Sequence, residues 1–138
     1  MNQRHQAREA ALQILYFCEV GGTPPADALD VYFSEHLPDA GEPVRTFAAT
    51  LVNGATADAD ALDEMITAHS ANWRLSRLAT IDRLILRMAA WELQHEPETP
   101  GPVVLDEAIE LARTFSTDGS VAFVNGVLDG IRKTLEAR

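Results

Sequence analysis

Apolar residues recur three and four positions apart along almost the whole chain, and no stretch alternates apolar with polar residues as a half-buried strand would. Between 104 and 115, Val104, Ala108, Leu111, Ala112 and Phe115 share one helical face; from 120 onward Val124, Val127, Leu128, Ile131 and Leu135 do the same. Such a pattern excludes sheet architectures and leaves a bundle in which each stripe is buried against its neighbours. The fold class expected is therefore all-α. With 138 residues, one domain and one core suffice.

The punctuation between stripes divides the chain. Ala7, Ala11, Ile14, Leu15 and Cys18 mark a first helix over 3–18, closed by Gly21 and Gly22. Thr23-Pro24-Pro25 opens a shorter helix over 25–36 with Leu29, Tyr32 and Phe33 on one side, and Leu37-Pro38-Asp39-Ala40-Gly41 closes it. Pro43 suits a first turn, and Val44, Ala48, Leu51, Ala55, Leu62 and Ile66 predict one long helix to about 69. A second half begins near Asn72-Trp73-Arg74-Leu75. Over 81–93 apolar groups cover more than one face, as expected of a central helix. Pro97 to Pro102 separates that helix from the one carrying Val104 to Phe115. Ser116-Thr117-Asp118-Gly119 reads as a turn, with Ser120 as N-cap of the last helix. Two Asn-Gly pairs, Asn53-Gly54 and Asn125-Gly126, sit inside predicted helices. A glycine there costs roughly 1 kcal/mol relative to alanine, which invites a reason such as close approach of a helix or a ligand.

Several classes of function lack their signature. The longest apolar runs are broken by charge well short of the ~18 to 20 residues a membrane span requires. The N-terminus has no apolar stretch with a small-residue cleavage site, so a cytoplasmic location is expected. Cys18 is the single cysteine, which precludes an internal disulfide and is expected to be a buried thiol. His5, His36, His69 and His95 fall in separate elements with no metal-ligand spacing, and no phosphate loop, dinucleotide fingerprint or nucleophile elbow is present. Asp106, Glu107 and Glu110 read as a solvated face opposite Val104, Ala108 and Leu111 rather than as an acid–base group. Neither a cofactor nor a metal is expected, and the chain reads as a binding protein rather than an enzyme.

A net charge of −10 argues against non-specific coating of nucleic acid. Its distribution is uneven: residues 19–64 hold ten carboxylates against Arg45, whereas residues 65–91 hold Arg74, Arg77, Arg83 and Arg87 against Asp82. Each arginine can answer a neighbouring carboxylate, or some can form a local basic surface. Arg4 and Arg8, one turn apart, can hold phosphates or simply charge a helix end. Phe123 flanks the last stripe beside Ala122 and Gly126, where it can stack a single-stranded base or enter a neighbouring core. Tyr16 lies off the main stripe of its helix.

Four segments in order carry a family resemblance: Ala7-Arg8-Glu9-Ala10-Ala11-Leu12-Gln13-Ile14-Leu15-Tyr16; Asn72-Trp73 with Ile81-Asp82-Arg83-Leu84-Ile85-Leu86-Arg87 and Glu92-Leu93; Asp106-Glu107-Ala108-Ile109-Glu110-Leu111-Ala112; and Ser120 with Phe123-Val124-Asn125-Gly126-Val127-Leu128. Over nearly its whole length the chain resembles the NusB family of bacterial transcription antitermination factors. The resemblance implies about seven helices in two packed three-helix subdomains. It also implies binding of BoxA RNA together with NusE, a ribosomal small-subunit protein, within the RNA polymerase antitermination complex, notably on ribosomal RNA operons. Carried onto this chain, Arg4, Arg8 and Phe123 match positions expected to meet RNA, and Tyr16 and Asp82 match positions expected at the NusE interface. Ala122 stands where relatives often carry lysine, and the Arg4-His5-Gln6-Ala7-Arg8 start is less basic than usual. RNA binding is therefore expected to depend on NusE. Two other readings stay open: a NusB-like front domain of a ribosomal RNA methyltransferase, which would need a further catalytic domain, and a helical adaptor or homodimer that never touches RNA.

Overall fold

The computed structural model describes residues 2–70 and 78–138, and every described element is a helix. Asn72, Trp73, Arg74 and Leu75, on which the start of the second half was placed, lie outside the described residues, as does Arg77. The chain divides into two compact units, Met1–Ala57 and Asp58–Arg138.

In the first unit, α1 (Gln3–Gly21) begins where the Asn2 side chain accepts from the backbone N–H of Arg4 at 2.9 Å and of His5 at 3.4 Å, which satisfies two of the donors every helix start leaves open. It runs three residues past the expected end. Gly22 then stops it in the left-handed region at φ 69°, donating its N–H to the Cys18 carbonyl, a conformation glycine adopts without steric cost. Ala7, Ala10, Ala11, Ile14 and Leu15 are buried along one side, and the alanines let α3 (Glu42–Ala57) approach closely. Between them α2 (Pro25–His36) contributes Ala28, Tyr32 and Phe33 to the core. Arg45 staples the α2–α3 connection: its guanidinium donates to the carbonyls of Ala40 at 2.8 Å and Pro38 at 2.9 Å, and its charge lies 5.0 Å from the Phe33 ring centre. This arginine has a local structural role, but through backbone carbonyls rather than the neighbouring carboxylate the sequence suggested.

The single long helix predicted over 43–69 is two helices. α3 ends at Ala57 and α4 (Ala59–Ala68) starts one residue later, because Asp58 leaves helical geometry at φ −101°, ψ 16°. Neither proline nor glycine marks the break. The signal is a gap: between Ala55 and Leu62 no large apolar side chain needs burial, so nothing holds the helix through Asp58 and Asp60.

In the second unit, α5 (Thr80–His95) buries Leu84, Ile85 and Leu86 in succession. Three consecutive residues sweep about 200° around a helix, so they require neighbours on more than one side. Within the unit α4, α6 (Gly101–Phe115) and α7 (Asp118–Glu136) all pack on α5, as expected of a central helix. Arg87 of α5 is clamped in two-pronged fashion by Asp63 of α4, at 2.6 and 2.7 Å, so this member of the basic stretch is also paired structurally. A close approach occurs at a glycine the sequence reading did not single out: a Cβ at Gly130 would sit 3.0 Å from Cδ2 of His69, whose ring bridges the Met65 carbonyl and the Thr134 hydroxyl. Among the described residues no helix is long and apolar enough to cross a membrane.

Candidate nucleic-acid interface

The first unit presents its candidate face at the start of α1. Arg4 is exposed, and its guanidinium carbon lies 3.8 Å from the centre of the Phe47 ring on α3. Arg8, one turn on, is 5.5 Å from the same centre but only 3% exposed. The two arginines thus converge on one aromatic face at different depths: Arg4 meets solvent and Arg8 lies beneath it. Among the described residues the Arg4 side chain makes no hydrogen bond or ion pair, so its N–H groups are available to a ligand. No acidic residue stands in the first turn of α1, and a helix N-terminus already carries partial positive charge. Positive charge left uncompensated in this way favours an anion such as a phosphate.

Further along α1, Tyr16 is 39% exposed and Phe17 47%. With Val20 they leave an exposed apolar strip on the helix. Cys18 is only partly covered, less than expected. Burial first, and Glu19 second, raise its pKa, which keeps the thiol protonated and a poor nucleophile.

In the second unit the candidate face lies at the start of α7. Asp82, in the first turn of α5, is 6% exposed. Its two carboxylate oxygens accept from the Ser116 hydroxyl at 2.6 Å and the Ser120 hydroxyl at 2.7 Å. Each serine spends its one proton on the carboxylate, which leaves the Ser120 oxygen to accept from Thr117 at 3.1 Å. Bonds of this kind to an ionised group are among the stronger ones a fold makes. They fix the turn between α6 and α7 on α5. They also explain why α7 starts at Asp118 rather than after Ser120: the Ser120 side chain is engaged by Asp82 instead of capping its own helix, and Thr117 takes the N-cap position.

One turn beyond Ser120, Phe123 is half-buried and, with Asp82, Thr117, Gly119 and Ser120, lines a cleft of about 330 Å³. Ala122 and Gly126 beside it are exposed, and a Cβ added at Gly126 would meet nothing within 4 Å. Among the described residues the glycine therefore answers no packing demand, and it leaves a flat, open shelf next to an aromatic edge. Among the described residues no three His, Cys, Asp or Glu side chains are grouped as a metal would require.

The positions singled out from sequence thus differ in depth. Arg4, Tyr16 and part of Phe123 reach the surface; Arg8 and Asp82 lie beneath it. Sequence reasoning passed over Phe47, which falls three residues after Val44 on the α3 stripe and so carried a core signal only. It also passed over Ser116 as a partner of Asp82, since residues 34 apart give no local cue.

Comparison with known proteins agrees with this architecture. The family model described as the NusB family matches residues 5–133. The transcription antitermination protein NusB of Sorangium cellulosum (strain So ce56) is 45% identical over 136 residues, covering 98% of this chain and 95% of the relative. A crystal form of NusB from T. maritima superposes with a TM-score of 0.83 at 29% identity, covering 96% of this chain and 92% of that one. A crystal structure of the antitermination factors NusB and NusE in complex with double-stranded RNA superposes with a TM-score of 0.87 at 25% identity, covering 97% and 98%. Matched along nearly its full length by a family of transcription factors rather than enzymes, the chain belongs to the NusB family.

Proposed function

We propose that this chain is a cytoplasmic transcription antitermination factor that binds BoxA RNA together with NusE and helps RNA polymerase pass terminators, notably in ribosomal RNA operons. The observation that carries this reading is its likeness, over nearly all of both chains, to a NusB solved with NusE and RNA. The two faces supply a chemistry that suits it. Arg4 offers a planar donor edge to phosphate, with Arg8 reinforcing the positive charge from below, and Phe123 beside Gly126 offers a stacking edge to a base. Tyr16 on the exposed strip of α1 meets NusE. In the second unit Asp82 serves NusE binding from within, by holding the first turn of α7 in place.

Electrostatics sets the expected affinity. The net charge is −10 and Ala122 supplies no cation on the α7 face, so few phosphates are neutralised and the isolated chain binds RNA weakly. NusE completes the surface. The test is a titration of labelled BoxA RNA at physiological salt with chain alone, NusE alone and the mixture, repeated with a scrambled sequence. Tight binding by the mixture that is lost on scrambling supports the reading. Equal binding by chain and mixture removes the dependence on NusE, and indifference to RNA in every arm favours a helical adaptor or homodimer, to which the exposed Tyr16, Phe17 and Val20 would then belong.

A further inference from the structure

We infer that Phe47 is a positioning residue for the RNA contact: its ring holds the Arg4 guanidinium face-on, so that the edge carrying the N–H donors is presented outward to phosphate. The inference rests on the proposed RNA-binding role of this family member and adds to it a residue that itself touches no RNA.

Three observations converge. The ring is 7% exposed, too deep to stack a base, yet an exposed side chain lies at 3.8 Å from its centre, the separation of a guanidinium resting flat on an aromatic face. Arg4 stands where the helix dipole disfavours a cation, with no acidic residue in the first turn to offset it. The ring face is the attraction that offsets this cost, and it occupies the face of the guanidinium while leaving its planar donor fork unused. The second arginine, Arg8, is directed at the same ring from below at 5.5 Å.

A long arginine side chain loses much rotamer freedom on binding, so one already held in place binds with less penalty. Replacing Phe47 by leucine keeps an apolar side chain of comparable size and removes the π face. In the mixture with NusE, F47L is expected to weaken BoxA binding about 2- to 5-fold, the range of an exposed cation–π contact. In the R4A background it is expected to change binding no further. Without RNA, the Arg4 Nε–H proton resonance is expected upfield in the wild-type chain through the ring current of Phe47, and to return to the ordinary arginine position in F47L. Should F47L fail to fold, R4K in the intact fold is the substitute, since lysine keeps the charge but lacks the planar face and fork; the same 2- to 5-fold loss is expected.

Equal weakening by F47L with Arg or Ala at position 4 would show a merely structural role and overturn the inference. So would wild-type affinity in F47L, wild-type affinity in R4K, or an unshifted Arg4 resonance in the wild-type chain. If the wild-type mixture does not bind BoxA at all, the proposed function falls and the positioning role falls with it, whatever the resonance shows.

Discussion

At the start of α1 an exposed cation rests on an aromatic ring with no hydrogen bond to hold it, whereas at the start of α7 a buried carboxylate pins two serine hydroxyls and the turn that carries them. Both arrangements keep a surface side chain where a ligand can meet it. The first is broad in angle and electrostatic in character, so it suits a group that must adjust to a phosphate. The second is directional and buried, so it suits a platform whose position must not change. The difference teaches where each face is vulnerable: α1 to salt and to loss of a ring, α7 to loss of one carboxylate deep beneath the surface.

The largest effect is expected at that carboxylate. Asp82→Ala removes two charge-assisted bonds to half-buried hydroxyls, so denaturant unfolding is expected to show a loss of about 2 to 4 kcal/mol, with the first turn of α7 losing amide-exchange protection first. A loss below about 0.5 kcal/mol would mean that the α6–α7 turn is held by packing instead, and the contrast between the faces would dissolve. Next in size, Phe123→Ala is expected to weaken BoxA binding by the mixture with NusE by about 1 to 3 kcal/mol, the range for one stacked base, with helicity retained. Collapse of helicity would place Phe123 in the core instead.

Much of this division was legible in the residues. Among the described helices, α1, α2, α5, α6 and α7 follow from apolar spacing and from Gly and Pro punctuation, while α3 and α4 read as one, and α5 was recognisable as central because its apolar residues cover more than one face. The break at Asp58 was not, because helix-forming alanines surround it and only missing bulk between Ala55 and Leu62 marks it. At the sites, Arg4, Tyr16 and Phe123 stood out as residues that do not fit their helix's buried stripe. The depth of Arg8 and Asp82, and the roles of Phe47 and Ser116, depend on partners distant along the chain that no local pattern encodes.

Smaller effects sharpen the comparison further. Arg4→Ala is expected to weaken BoxA binding a few-fold at physiological salt with little change in stability, since the side chain is exposed and engages only the ring. Gly126→Ala is the subtlest. Its Cβ enters open space, so by helix propensity alone thermal unfolding is expected to register a gain of up to about 1 kcal/mol. If the shelf beside Phe123 is a contact surface, the same substitution weakens RNA binding. A variant that is more stable and binds as well as wild type would assign Gly126 to tolerance rather than function.

The most direct test of two faces with different chemistry is the salt dependence of BoxA affinity in the mixture with NusE, measured for wild type, R4A and F123A between 50 and 200 mM salt. The expected result is a plot of log affinity against log salt that is shallower by about 0.7 for R4A, one phosphate contact on a single strand, and displaced but parallel for F123A. Parallel lines for all three, or a slope change in F123A rather than R4A, would contradict the account.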